Sequence, residues 1–326
     1  MSANGPPSAG PVPAEDHRRP GGVPLGVLLM TYGSPASIDD LPRYLAAVRG
    51  GREAAPDLVV EFARRYRLIG MSPLIAITEA QARALERQLE DGAIVRAAMR
   101  FSDPSIEQAL GELAALGVQR VVGIVMSPQY SPLLMGGYER AVVAARASIG
   151  DTAPVVLIAH EWHQEPAFVE ALAERIRQGL ERFPIEQRSS VPVLLTAHSL
   201  PRRVADQEPA YLAQLRQTAE AVALRAGLEG DRWTFCWQSA GHEPGEWMKP
   251  DFADLMPVLR RAGHQSVLVA PVQFLADHLE ILYDIDVGAR EQAAAEGMRF
   301  ERIESLNTSA HFIDALRAVV QHHAAP

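Results

Sequence analysis

Residues Val267 to Asp286 read VLVAPVQFLADHLEILYDID. The run Val267–Val272 is continuously apolar, as a strand buried on both faces requires. Past Gln273 and Phe274 the pattern changes to carboxylates at helical spacing, and a buried strand passing into a helix is the repeating unit of an α/β fold. If the segment from residue 277 onward is helical, Asp277, Glu280 and Asp284 fall within roughly 60° of one another. A line of acids where a helix leaves a buried strand is costly unless something positive comes there. His278 points away from that line, and a local structural hydrogen bond is the expected use of its ring.

The same strand-then-helix grammar runs along the chain. Residues 25–30, 94–100, 120–126, 154–158, 191–197, 233–237 and 266–272 read as buried strands. Helical patterns occupy 39–48, 78–90, 105–116, 138–148, 165–182, 210–226, 251–261 and 309–322, with Thr78 and Gln81 in capping-box relation. Val27–Pro35 (VLLMTYGSP) and Val193–Pro201 (VLLTAHSLP) share one plan: apolar strand, ring side chain, turn, proline. The expected fold is two similar doubly wound, Rossmann-like α/β domains with parallel sheets, over 23–160 and 161–326. The last helix is free to pack back on the first domain. Tyr32 and His198 then stand at equivalent strand ends, facing a cleft, since ligands of open α/β sheets bind outside the strands' carboxyl ends.

Composition narrows the function. The 326 residues are 48% hydrophobic with a net charge of −9, which supplies two real cores and argues against nucleic acid as partner. The single cysteine, Cys236, excludes a disulfide framework, a CxxC zinc site and a cysteine-held iron–sulfur cluster within the chain. Lys249 is the only lysine, so arginine carries the positive charge and can grip carboxylates with two prongs. Residues 1–22 have the composition of a disordered tail without a signal-peptide core. No apolar run reaches the ~18 residues of a membrane span. A cytoplasmic monomer is expected. GxGxxG, Walker A, GxSxG and HExxH signatures are absent, which disfavours nucleotide cofactors and zinc-peptidase chemistry. The pairs Gly50-Gly51 and Gly136-Gly137 read as turns.

His198, ending an apolar strand, can accept a proton or bind a divalent metal. With the carboxylates of the other strand–helix junction it points to a site for metal ions and protons. Arg49 and Arg52, then Arg64, Arg65 and Arg67, form two clusters that are either solvated faces or a rim for a multiply anionic ligand. Trp247, in a loop-like stretch, is placed to cover a flat aromatic ligand or to join the core.

From about residue 25 to 318 the chain resembles the ferrochelatases, lyases that insert ferrous iron into a porphyrin. The resemblance rests on LLMTYGSP (28–35), IGMSPL (69–74) with Thr78 and Gln81, AMRF (98–101), SPQYS (127–131), TAHSLP (196–201), WQSAG (237–241) with Trp247 and Pro250, and FLADHLEILYDID (274–286). It is nearest to the coproporphyrin-using branch of Gram-positive and related bacteria. It implies the chelatase fold, with iron as substrate and no resident cofactor or cluster. It also implies that His198 and Glu280 form the metal-site pair, joined by Asp277 and Asp284 as further candidates, with Tyr32 approaching from the other face. Arg49, Arg65, Tyr66, Ser72 and Tyr138 would hold propionates, with Trp247 as a further porphyrin contact. The product would be iron coproporphyrin in haem biosynthesis, with release of two protons and contact with other enzymes of that pathway. Protoporphyrin IX as substrate, cobalt or nickel as metal, and a non-catalytic tetrapyrrole or metal carrier remain alternatives. Two departures stand out. The segment Ile69–Ser72 is one residue short of the family's double-glycine form, and Gly288 replaces an acid one turn beyond Asp284, so a relay would be shortened or routed through Asp286.

Overall fold

Among the described residues eight strands form two sheets of four, and every strand pairing within them is parallel. The computed structural model describes residues 23–89, 92–241 and 245–324, so the expected tail at 1–22 lies outside the described residues. The first sheet holds β1 (Leu25–Thr31), β2 (Ile94–Met99), β3 (Arg120–Val125) and β4 (Val155–Ala159), in the order β2-β1-β3-β4. The second holds β5 (Val193–His198), β6 (Trp233–Gln238), β7 (Ser266–Pro271) and β8 (Arg299–Arg302), in the order β6-β5-β7-β8. The two orders are the same, so β1 and β5 are equivalent, as the repeated VLL motif predicts. Val27 to Met30 and Val267 to Ala270 are fully buried, because helices cover both faces of each sheet.

The first half carries α1 (Leu41–Val48), α2 (Pro56–Ile69), α3 (Leu74–Gln88), α4 (Ile106–Ala115) and α5 (Pro132–Ile149). Next come α6 (Pro166–Glu181), the short α7 (Arg202–Ala205), α8 (Pro209–Ala226), α9 (Phe252–Arg261), a π-helix at Glu280–Ala289, α10 (Arg290–Ala295) and α11 (Ala310–Ala324). One apolar layer serves both sheets. Val27 and Leu29 of β1 belong to the same cluster as Leu195 of β5, Leu268 of β7, Phe168 of α6 and Phe312 of α11. The last helix packs on α3, β3 and β4 as well as on α6. The outer faces have separate cores, one under α4 and α5, the other under α9 and α10.

Several local expectations change. Thr78 does not cap a helix: α3 begins at Leu74, and buried Thr78 donates from Oγ1 to the Leu74 carbonyl at 2.8 Å. True capping boxes form at Ser105/Gln108 and Asp251/Asp254. Gly136-Gly137 is no turn but lies inside α5. The stripe 277–284 is not one α-helix, since Asp277 precedes the helical segment and residues 280–289 are hydrogen-bonded as a π-helix. Such segments are rare and concentrate at functional sites. At the shortened Ile69–Ser72, α2 ends in a Schellman turn: Gly70 N–H donates to Arg67 O at 3.3 Å and Met71 N–H to Tyr66 O at 2.9 Å. Both Gly70 (φ 73) and Met71 (φ 75) are left-handed. A methionine there carries backbone strain that glycine would not.

Candidate active site

A cleft of about 630 Å³ opens where the carboxyl ends of β1 and β5 meet the loops beyond them. Its chemistry begins at His198, the last residue of β5. The His198 main-chain N–H donates to Gln273 Oε1 at 2.7 Å, and Gln273 in turn donates from Nε2 to the buried Tyr211 hydroxyl. The ring is fixed at its other end. His198 Nδ1 lies 2.5 Å from the Ser199 carbonyl oxygen, which can only accept, so Nδ1 carries the proton. Nε2 is therefore the nitrogen left to exchange a proton, and it lies 3.6 Å from Glu280 Oε1.

Glu280 is set between two imidazoles, because His278 Nε2 lies 3.6 Å from its other oxygen. The expected local hydrogen bond of His278 is present, from Nδ1 to the Ala276 carbonyl at 2.9 Å. Its ring nonetheless lines the cleft. Burial opposes the charge on Glu280, but the fields of His198 and His278 override it and hold the carboxyl well below its ordinary range. Burial likewise opposes a charged His278, and Glu280 overrides it in the same way, raising that imidazole. The trio is thus a carboxylate held ionised between two imidazoles.

The other acids part company. Asp284, one turn along the π-helix, is half-buried and bonded to Ser239; burial pushes its carboxyl up, Ser239 lowers it and Glu280 raises it again. Asp277 turns away from the cleft. Its carboxylate accepts from Ser305 Oγ at 2.7 Å and Asn307 Nδ2 at 2.9 Å, with Arg302 3.4 Å away, so it anchors the loop before the π-helix rather than standing in the metal stripe. Asp286 is gripped by both prongs of Arg302, at 2.8 and 2.9 Å. A relay through Asp286 would have to break that pair.

The facing wall comes from the first half. Tyr32, just past β1, packs edge-on against Phe101 with ring centroids 4.6 Å apart. Tyr66 from α2, Ser72 from the α2–α3 turn and Tyr138 from α5 also line the cleft. Burial pushes the phenols of Tyr32, Tyr66 and Tyr138 up, while Arg100 pulls Tyr32 and Tyr138 part of the way back. They therefore stay neutral. Three expected contacts do not reach the lining. Arg49 caps α1 at the exposed rim beside Val48. Arg65 lies between the rings of Phe62 and Tyr283, at 5.6 and 4.8 Å. Trp247 pairs with Pro201 through the backbone and packs over Gly241.

Arg100 lines the cleft without having been singled out as a ligand residue. Its guanidinium lies over the rings of Phe101 and Tyr138, at 4.6 and 5.5 Å. Gly137 makes this possible, since a Cβ there would fall 2.0 Å from Arg100 Cζ. The Gly-Gly pair was the available signal, and its helical setting hid it.

The ferrochelatase family model matches residues 24–324 of this sequence. The chain belongs to the ferrochelatase family. Its members are metal chelatases that insert iron into porphyrins. Curated relatives agree. A ferrochelatase of Deinococcus radiodurans is 39% identical, over 93% of this chain and 96% of its own length. Coproporphyrin III ferrochelatases of Geobacillus thermodenitrificans and Bacillus subtilis are 36% and 32% identical, each over 91% of this chain and 95% and 96% of their own lengths. Among solved structures, SirB from Bacillus subtilis with Fe3+ aligns with a TM-score of 0.57 at 10% identity, over 93% of this chain and 96% of that one. CbiX, described as the terminal enzyme for siroheme biosynthesis in denitrifying bacteria, gives 0.53 at 15%, over 92% and 98%. At such identities these two speak for the shared two-sheet chelatase fold alone. Among the described residues no helix is long and apolar enough to cross a membrane.

Proposed function

We propose that the chain inserts ferrous iron into coproporphyrin III, giving iron coproporphyrin and two protons, with iron as substrate. The observation that carries this reading is the Glu280 carboxylate held between His198 and His278, in a cleft whose other wall carries Tyr32. Insertion strips two protons from the pyrrole nitrogens as the metal enters. His198 Nε2, the ring nitrogen that Ser199 leaves free, accepts them one at a time and passes each on through Glu280 to solvent before the next. Glu280, 3.6 Å away, stabilises the imidazolium that forms. The pair offers one nitrogen and one carboxylate, a donor set suited to ferrous iron. Asp284 lies one turn further out, where arriving iron sheds water or protons leave. Tyr32 approaches the metal from the opposite face.

The choice of coproporphyrin is supported by the names of several relatives and by the cleft's donors for carboxylates. Tyr66, Ser72 and Tyr138 line it with hydroxyls, Arg100 adds a cation, and Arg49 and Arg65 stand at its rim, where four propionates find more partners than two. Trp247, packed behind the His198 loop, acts on the ring only through that loop.

His198→Ala is expected to lower the insertion rate by about 100-fold or more while porphyrin binding, read by absorbance, persists. Near-normal turnover in that variant overturns the assignment of the base. Parallel turnover on coproporphyrin III and protoporphyrin IX decides the substrate, and preference for the two-carboxylate ring would sink this part of the reading.

A further inference from the structure

Glu61 of α2 holds two arginines at once. Arg64 grips it with Nε to Oε2 and Nη2 to Oε1, both at 2.9 Å, and Arg65 Nε donates to Oε1 at 2.7 Å. The same two guanidiniums reach from α2 to the π-helix. Arg64 Nη2 donates to the Tyr283 hydroxyl, and both cations lie over the Tyr283 ring, at 5.4 and 4.8 Å. On the inner side of the same helix, Phe62 and Tyr66 line the cleft. A glutamate side chain is two methylenes ending in a carboxylate, the same group as a porphyrin propionate. Glu61 thus places a protein-borne propionate on arginines at the edge of the cleft. It stays ionised throughout the working range, because the hydrogen bonds from Arg64 and Arg65 lower its carboxyl to about 2.

We propose that Glu61 is a surrogate propionate that occupies Arg64 and Arg65 until a carboxylate of the substrate displaces it. The inference rests on the substrate class assigned above and adds a residue that sets affinity by competition. The free protein keeps its mouth arginines ordered and their charge partly neutralised. A ring with carboxylates at that edge exchanges one carboxylate for another, so little ion-pairing energy is gained and the product leaves readily. A porphyrin without charge at that edge gains nothing from the arginines, whether or not Glu61 is present. Glu61 acts through its partners and is a positioning residue.

The test is Glu61→Gln, with Glu61→Asp beside it, in steady-state and single-turnover insertion. Exposed ion pairs of this kind contribute little, so Glu61→Gln is expected to lower KM for coproporphyrin III only about three- to fivefold. Single-turnover rate should be unchanged, and the gain should shrink with added salt. The tetramethyl ester of the same ring should show no change, and Glu61→Asp should fall between wild type and Glu61→Gln. An unchanged KM, or an equal fall for the ester, overturns the proposal. A melting temperature near that of the wild type shows that the helix has survived. If the wild type uses protoporphyrin IX but not coproporphyrin III, the substrate assignment fails separately, and the Glu61 effect is then read as the KM shift on the two-carboxylate ring.

Discussion

Strands β1 and β5 hold the same place in sheets of the same order, yet their carboxyl ends present different chemistry. Past β1 the polar part of the wall is phenols, serines and one guanidinium. Past β5 it is imidazole and carboxylate, with the π-helix added behind. The scaffold was duplicated in form and then divided in labour. On the proposed reading one side recognises a flat anionic ring and the other handles the metal and its protons. On this view, substitutions on the second wall should fall on turnover and those on the first wall on binding.

The largest effect is expected from the second wall. Glu280→Gln keeps the shape but removes the charge between the imidazoles, and should lower kcat by about 100-fold with KM changed little. A matching rise in KM would erase the distinction between the walls. On the first wall, Gly137→Ala drives a methyl into the place of the Arg100 guanidinium. That guanidinium is the mobile end of a long side chain, so the helix stays in place. Alanine inside α5 favours the helix by about 0.5–1 kcal/mol, so the melting temperature should hold or rise. KM should nevertheless rise about tenfold, the scale of one displaced charged hydrogen bond. A variant that loses both stability and kcat would show that Gly137 serves packing instead.

The smallest effect concerns Asp284. Its folded-state carboxyl is raised by burial, relieved by Ser239 and raised again by Glu280. A raised acid binds its proton more tightly when folded, so stability falls as pH climbs from the unfolded value through the folded one. Above that window the buried charge is a standing penalty. Asp284→Asn should therefore be somewhat more stable than wild type at neutral pH, with the difference closing in acid. Denaturant unfolding at several pH values measures this. A difference that widens in acid contradicts it.

Much of the architecture was legible because buried parallel strands announce themselves as unbroken apolar runs, and seven of them read correctly. β8, RFER, escaped because four residues with three charges carry no such run. α2 was read as arginine clusters, since only Ala63 and Tyr66 of its fourteen residues are buried. The acidic stripe illustrates a different limit. A 3.6-residue period cannot describe a π-helix, and the partners that take Asp277 out of the site, Ser305 and Asn307, lie nearly thirty residues away in sequence. His198 and the acidic stripe could be brought together from their places at two strand ends, and the resemblance singled out Glu280. Arg100 could not, because its cradle is defined by what Gly137 lacks. Arg49, Arg65 and Trp247 were readable as types but not as directions.

The apolar layer shared by the two sheets has a kinetic meaning. Residues of β1, β5, α6 and α11 bury one another in a single cluster, so the two halves cannot hinge apart without exposing it. On the proposed reading a planar ring passes on the side away from that shared core, where α2 meets the π-helix by way of Arg64, Arg65 and Tyr283. The rigid back of the molecule leaves traffic control to that one seam.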